Sequence, residues 1–325
     1  MPGFTTHYIF GMKAYNDMPF TPLKHTIAKY RWLYQLGLQG PDMFFYNIPI
    51  LRHRDYRNVG SYMHEHKVNA FFECCLRRIG TIRSRQQQEE AISYLAGFIN
   101  HYIADSICHP YVYGRIGYPV DAPTSMHHGM HAHLENELDA ILLWKYKKKK
   151  PSEFNQTATI CLNGQEIQFI SHFLASCINE TYYPITYRNN FQVTPAMVHR
   201  SIWALRFGCR TLSDKNGKKK FGIAQVESIF VNHPVASAKM VTDSVTDYRS
   251  SCNLNHEAWG NPWDPTRVST ASFVDLFHET LDKCSRVYAL LNSAVTDNMP
   301  LDKQDLPPLL AELGNESYHS GLPVE

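Results

Sequence analysis

Apolar residues recur at helical spacing along most of the chain, and this pattern predicts a mainly α-helical protein. The longest such stripe covers residues 84–109, where apolar side chains return every three or four positions. We expect this helix to end at Pro110, because proline cannot donate a backbone hydrogen bond. Thr21 and Pro22 have the form of a cap and a first helical residue, and their helix is predicted to reach Leu38.

Shorter stripes with the same spacing predict further helices in both halves of the chain. They cover residues 61–78, 128 to the lysines after Trp144, 170–180, 194–212, 270–293 and 303–313. Asn163-Gly164 separates two short apolar runs, 159–162 and 166–169, and favours a small β-hairpin. The predicted fold class is therefore all-α, a multi-helix, bundle-like single domain that contains at most a small β-hairpin.

Composition and charge narrow the class of protein. The chain has 325 residues, 44% of them hydrophobic and 19% charged, which is an ordinary globular balance. The net charge is +2, so a nucleic-acid scaffold is not expected as a partner. The lysine cluster at 145–150 is typical of a solvated helix end, and contact with anionic lipid is the alternative.

The same residues carry expectations about location and redox chemistry. No unbroken apolar stretch is long enough for a transmembrane helix. The first residues lack the basic and apolar pattern of a secretory signal, so we expect a cytoplasmic protein, with secretion open if a signal has been removed. The eight cysteines form no Cys-x-x-Cys pair, which argues against a thiolate zinc site.

Histidines are concentrated near carboxylates in the first part of the chain, where eleven of the seventeen lie within 133 residues. His101, Asp105 and His109 are spaced four residues apart and fall on one face of the longest predicted helix, within its apolar stripe. Polar side chains at such depth need partners, and imidazole with carboxylate is a usual ligand set for a divalent cation. A surface ion pair is the alternative.

A second helix carries the same spacing. His131 and Glu135 are four residues apart on the side of the helix that Leu134 and neighbouring leucines mark as buried. His133 and Glu137 form a similar pair on another face. Two helices that each carry a His-x-x-x-carboxylate pair can build a multi-metal site inside a bundle.

The combination resembles the bacterial zinc-dependent phospholipase C family, which shares its fold with certain zinc-dependent nucleases. The resemblance covers roughly residues 5–140 and finds no counterpart in the second half of the chain. It is carried by His101-x-x-x-Asp105 with His109, by His131-x-x-x-Glu135, by Thr6-His7-Tyr8, by Gly40-Pro41-Asp42, and by His64 near a helix start.

The resemblance implies a set of zinc ligands. One ion would be held by Asp42, His64, His101 and Asp105, and a second by His109, His131 and Glu135. His7 would hold a third ion and share Asp105 with the first. In secreted members a free amino terminus that begins with Trp also binds the third ion, and this chain has no Trp there. His66 remains an alternative to His64, and His128 an alternative to His109, whereas later histidines such as His319 are interpreted as structural.

The resemblance also implies an activity. It is that of a zinc-dependent phosphodiester hydrolase acting on phospholipids, in which a metal-activated water attacks phosphorus. Asp42 would orient or deprotonate that water in addition to binding metal, and peripheral contact with a membrane would fit the substrate. The alternatives are a phosphoesterase acting on nucleotides or other phosphoesters, and a non-catalytic homologue that binds metal or lipid.

These assignments divide the chain into three parts. Residues 1–150 are expected to form the metal-binding helical core, and residues 151–313 a helical extension packed on the same domain. The last helical pattern ends before Gly314, so residues 314–325 are expected to be a loose tail.

Overall fold

The structure is a computed structural model, and it describes residues 3–46, 59–182, 192–230, 237–296 and 306–325. Of the described residues, 71% are helical, and they contain one sheet of two antiparallel strands. The prediction of an all-α single domain is therefore confirmed.

The α-helices of the described residues are α1 (Phe4–Asp17), α2 (Pro22–Lys29), α3 (Arg31–Gly37), α4 (Val59–Glu65), α5 (Val68–Thr81), α6 (Arg85–Arg115), α7 (Ser125–Lys147), α8 (Gly164–Thr181), α9 (Pro195–Leu212), α10 (Lys218–Phe230), α11 (Tyr248–Ser251), α12 (Phe273–Thr296) and α13 (Leu306–Leu313). Short 3₁₀ helices cover Gly40–Tyr46, Pro151–Glu153, Gln156–Thr159 and Ser237–Lys239. The strands are β1 (Trp259–Asn261) and β2 (Asp264–Ser269), which pair with Trp259 opposite Ser269.

Helix α6 lies at the centre of the fold, and 23 of its 31 residues are buried. Its first turn is capped by the Ser84 hydroxyl, which accepts a hydrogen bond from the Gln87 amide. The predicted end at Pro110 is wrong, because the helix continues to Arg115. Tyr111 beyond the proline is fully buried and donates a hydrogen bond to the Ser251 carbonyl, so tertiary packing outweighs the lost backbone bond.

Helices α3 and α6 cross with their backbones in contact. Gly37 lies against the carbonyl of Tyr94, and Gly97 lies against the carbonyl of Tyr34, so any side chain at either glycine would overlap the opposite backbone. This crossing places the end of α3, and the 3₁₀ helix that follows it, directly beside α6. It is the reason that Asp42 can reach the polar face of α6.

The predicted β-hairpin around Asn163 is wrong. Residues 156–159 form a 3₁₀ helix, and α8 begins at Gly164. The Asn163 side chain accepts from the Glu166 amide (2.9 Å), and the Glu166 carboxylate accepts from the Asn163 amide (2.8 Å). This is a capping box, and it stabilises a helix start where the Asn-Gly pair alone favoured a turn.

Two of the predicted helices are each divided in the structure. The helix predicted from Pro22 to Leu38 breaks at Tyr30 into α2 and α3, although Thr21 caps its start as expected. The helix predicted over 61–78 breaks before α5 at Lys67, which has a positive φ of 48°. The later predicted helices are present as α8, α9, α12 and α13, with ends that differ by up to six residues, whereas α10 and α11 were not predicted.

The tail beyond Gly314 is packed, and the prediction that it is loose is wrong. Tyr318 is buried and donates its backbone amide to the His64 carbonyl (2.9 Å). Asn315 accepts from the Asn69 amide (2.9 Å), so the segment is attached to α5 as well as to α4. The division of the chain at residue 150 stays a prediction.

A buried hydroxyl offers a test of the packing between α6 and α12. Tyr288 on α12 donates to the Ala96 carbonyl (2.9 Å) and lies 3.1 Å from the Tyr34 hydroxyl. We expect Tyr288→Phe to lower the free energy of unfolding by about 1–2 kcal/mol, because buried polar groups lose a partner. Chemical denaturation measures this change. The control Tyr248→Phe, at a residue 44% exposed, should change it by less than about 0.5 kcal/mol, and equal effects would contradict the assignment.

Candidate metal centre

Five helical segments converge on one buried polar region beside α6. Every predicted ligand lies there: His7 comes from α1, Asp42 from the 3₁₀ helix, His64 from α4, the trio His101, Asp105 and His109 from α6, and the pair His131 and Glu135 from α7.

The first group of ligand atoms belongs to Asp42, His64, His101 and Asp105, and all four atoms lie within 4.8 Å of one another. The Nε2 atom of His64 is 3.3 Å from Asp42 Oδ1, and the Nε2 atom of His101 is 3.1 Å from Asp105 Oδ2. All four side chains are buried. Four such atoms around one point match the ligand number of a zinc site.

The second group belongs to His109, His131 and Glu135, again within 4.8 Å of one another. Glu135 Oε1 lies 2.6 Å from His131 Nε2 and 3.7 Å from His109 Nε2. This group combines two imidazoles and one carboxylate, which is a usual ligand set for a zinc ion that keeps a position open for water or substrate.

Asp105 belongs to the first group and turns one oxygen to that group and the other towards His7. Its Oδ2 faces His101 at 3.1 Å and His64 at 3.7 Å. Its Oδ1 lies 3.1 Å from the Nε2 atom of His7 and 3.7 Å from the Nδ1 atom of His109. The carboxylate is fully buried, so the surface ion pair considered as an alternative does not occur.

His7 is fully buried, and its ring stacks on His101 with centroids 4.0 Å apart. Neither ring nitrogen of His7 has a hydrogen-bond partner in the described part of the chain. Asp105 is the predicted ligand that faces it, and residues 1 and 2 lie outside the described residues. The third ligand group is therefore represented by His7 and Asp105 alone.

Backbone carbonyls orient the three most buried imidazoles of the two groups. The Nδ1 atoms of His64, His101 and His109 donate to the carbonyls of residues 60 (2.6 Å), 38 (3.1 Å) and 318 (2.7 Å). A carbonyl can only accept, so each Nδ1 carries the proton and each Nε2 carries a lone pair. None of these Nε2 atoms has a hydrogen-bond partner among the described residues, although all are buried. Two of these buried lone pairs belong to the first group and one to the second, and buried lone pairs without partners fit bound cations.

The charges of the site agree with this arrangement. Burial opposes ionisation of Asp105, but its interactions with the adjacent imidazoles of His109, His101 and His7 outweigh burial and hold its pKa well below the usual range. Burial lowers the pKa of His109 to about 3 and also lowers that of His7, so both imidazoles are neutral at pH 7. An ionised carboxylate and neutral imidazoles are the forms that bind metal.

The pKa of His64 is raised, whereas those of His7 and His109 are lowered. Burial lowers its pKa, but its contacts with Asp105 and Asp42 outweigh burial and raise the value to about 9. The Nε2 atom of His64 thus lies between two carboxylates that favour a positive charge at that position. A metal ion supplies this charge in place of the proton.

The Gly40-Pro41-Asp42 motif has a steric explanation. Gly40 adopts a φ of +47°, and a side chain there would overlap the imidazole of His101. Glycine therefore lets the chain pass directly against His101 and turn so that Asp42 enters the first group.

Asp139 supports the site in a way that was not foreseen. It lies one turn after Glu135 on α7 and accepts from the backbone amides of Thr5 (3.1 Å) and Thr6 (2.7 Å) at the start of α1. Burial raises its pKa to about 6, against the effect of the Thr6 and Thr5 donors. The bond fixes α1, and with it His7, to the helix that carries the second group. The sequence feature that could have identified Asp139 is its spacing of four residues from Glu135 on the same helix.

His319 was interpreted as structural, but the structure places it at the centre. Its ring stacks on His64 with centroids 4.9 Å apart and lies 5.8 Å from that of His109. Its Nδ1 is 3.3 Å from Glu65 Oε1. No sequence signal pointed to this residue, because it lies almost two hundred positions after the ligands.

The structure separates the alternative histidines. His66 lies outside both groups and packs against the ring of Tyr62 at 4.3 Å. His128 also lies outside them, with its ring 6.2 Å from that of Tyr118. Among the described residues, His64 therefore belongs to the first ligand group and His109 to the second, in place of His66 and His128.

A cavity of about 670 Å³ adjoins the site. Asp42 of the first group and Glu135 of the second both line it. Its size lies within the range of roughly 300–1,000 Å³ that is common for small-molecule pockets. Both ligand groups are thus accessible from one side.

Fold and site together define a helical protein with a buried, zinc-type centre of histidines and carboxylates. The family model described as zinc dependent phospholipase C matches residues 6–186, which is more than half of the chain. The chain belongs to the zinc-dependent phospholipase C family. No curated protein and no solved structure matches it. All the ligands lie within the matched region, whereas α9 and the C-terminal segment 314–325 lie beyond it.

Across the described residues, the helices are too short or too polar to span a membrane.

The C-terminal segment provides a test of how the ligands are oriented. Gly321 has a φ of +60° and packs against the Ser106 carbonyl, so Gly321→Val should push residue 318 away from His109. We expect zinc affinity to fall by about 10- to 100-fold, as when other partners that orient ligands are lost. Competition with a chromogenic zinc chelator measures this affinity. Gly164→Ala is the control, because nothing lies within 4 Å of its added methyl group; unchanged affinity in Gly321→Val would contradict the role.

Proposed function

We propose that this protein is a zinc-dependent phosphodiester hydrolase that cleaves phospholipids into diacylglycerol and a phosphorylated head group. The observation that carries the proposal is the pair of ligand groups that open onto one cavity, the first through Asp42 and the second through Glu135. Membership of the zinc-dependent phospholipase C family supports both the metal and the reaction class.

The distances between ligand atoms support an assignment of residues to each proposed metal position. Asp42, His64, His101 and Asp105 are proposed to hold one ion, and His109, His131 and Glu135 a second. His7 is the proposed ligand of a third ion, together with Asp105 Oδ1, because both of its ring nitrogens are buried and without a hydrogen bond in the described residues.

When bound, zinc supplies Lewis-acid charge that makes water more acidic and offsets the negative charge of the phosphate. The chain's own residues have distinct tasks. Asp42 lies at the edge of the cavity, where its carboxylate is proposed to orient the attacking water and accept its proton. Asp105 would offset the repulsion between a cation in the first group and a cation beside His7. Gly40 and Asp139 hold the surrounding segments in place.

Metal content and turnover test the proposal together. Protein purified without chelator should carry more than one zinc ion per chain by elemental analysis, since two ligand groups are present. It should hydrolyse a chromogenic phosphocholine ester, lose this activity in chelator and regain it with added zinc. Turnover that survives complete removal of metal would contradict the mechanism, and stable zinc binding without turnover would favour a non-catalytic homologue.

The shared position of Asp105 leads to a sharper expectation. Asp105→Ala should weaken zinc binding both in the first group and beside His7, because one carboxylate oxygen faces His101 and the other faces His7. His131→Ala removes a ligand from the second group alone and should leave the first group loaded. Calorimetric zinc titration of the two variants resolves the difference. A full zinc complement in Asp105→Ala would rule out a bridging role.

A further inference from the structure

The cavity beside the metal centre is lined in part by aromatic side chains, which form an aromatic wall. Trp203 and Phe207 line it from α9, and Phe45 and Tyr46 line it from the 3₁₀ helix. Helix α9 lies beyond residue 186, so its part of this wall is not included in the family match. The matched region, which contains the metal ligands, therefore does not include the part of the aromatic wall that α9 supplies.

Two of these side chains are large, apolar and exposed. Trp203 is 63% exposed and Phe207 is 53% exposed. They lie one helical turn apart, and their rings stack with centroids 5.3 Å apart and planes at 9°. Contiguous exposed aromatic surface at the mouth of a pocket is typical of a binding surface.

The aromatic wall is continuous with the reaction centre. Asp42 and Glu135 line the same cavity as Trp203 and Phe207. A phosphoester whose phosphate meets the metal ligands therefore extends the rest of its structure along this wall. Arg200 and Lys239 also line the cavity and are exposed, which suits a substrate that approaches from an anionic surface.

The polar side chains of the cavity argue against a nucleobase as the occupant. The amide groups of Gln39, Asn136 and Gln156 donate to the Phe4 carbonyl (3.4 Å), the Ala238 carbonyl (2.6 Å) and the Thr5 hydroxyl (3.1 Å). Recognition of a base edge needs such donors free to face the ligand. An acyl chain needs only apolar surface, which Trp203 and Phe207 supply.

We propose that Trp203 and Phe207 form the subsite for the acyl chains of a glycerophospholipid. The proposal rests on the proposed function, because it places the phosphate of the same substrate at the zinc ligands. It adds a specificity element that belongs to α9 and that acts on the apolar part of the substrate.

A binding experiment tests the subsite without turnover. The zinc-loaded chain is titrated with a fluorescent short-chain diacylglycerol, which has no phosphoester to cleave, and anisotropy is recorded. Trp203→Ala/Phe207→Ala should weaken binding by about tenfold or more, because both substitutions remove apolar surface that would be buried against the acyl chains. Phe20→Ala is the control, since Phe20 is 99% exposed and does not line the cavity. Circular dichroism verifies that the exposed substitutions leave the fold intact.

Kinetics supply the second readout. The ratio of kcat/KM for dioleoyl phosphatidylcholine in mixed micelles to that for p-nitrophenyl phosphocholine should fall about tenfold in the double variant. The same ratio should match wild type in Phe20→Ala. A fall of the same size with both substrates would show a general defect and would overturn the subsite.

The outcomes separate this proposal from the proposed function. Diacylglycerol binding that depends on Trp203 and Phe207 supports the subsite even if no phosphodiester is cleaved, and that result would count against the hydrolase alone. Equal binding by wild type and double variant overturns the subsite, whatever the activity. A loss confined to cleavage of a thymidine phosphodiester also overturns it, because the wall would then hold a base.

Discussion

The buried carboxylate of Asp105 is the constraint on which the rest of the structure depends. An ionised carboxylate in an apolar interior is strongly destabilising unless charge and dipoles surround it. Four imidazoles, from His7, His64, His101 and His109, lie within 3.7 Å of its oxygens. They come from α1, α4 and α6, so these helices must meet at one point. The packing of this half of the protein is therefore organised around a charge as well as an apolar stripe.

Main-chain groups, rather than further side chains, orient the imidazoles at this point. The carbonyls of residues 38, 60 and 318 accept the Nδ1 protons of His101, His64 and His109. A carbonyl cannot be changed without moving its segment, so the direction of each Nε2 is a property of the fold. The C-terminal segment is consequently part of the centre, because it supplies one of these acceptors and packs over His64 through Tyr318.

Sequence reasoning reached the parts of the site that helical geometry determines. The spacing of His101, Asp105 and His109, and that of His131 and Glu135, places side chains together because one turn separates them. His7, Asp42 and His64 came from the family resemblance alone, since their approach depends on tertiary packing. Nothing local pointed to His319 or to the carbonyl of residue 318, which arrive from the far end of the chain. Asn163-Gly164 is compatible with both a hairpin and a helix start, and Glu166 decided between them.

The division between the matched region and the later helices has a chemical consequence. Residues 6–186 contain every proposed zinc ligand, and the proposed phosphoester cleavage would depend on these groups and on a path for the phosphate. In the proposed complex, the groups beyond the phosphate would contact the cavity wall, which α9 builds in large part with Trp203 and Phe207. On this proposal the ligands would determine which bond is cleaved, whereas α9 would determine which molecules bring that bond to the metals. A chain with the same ligands and a different wall would keep the reaction and change the substrate.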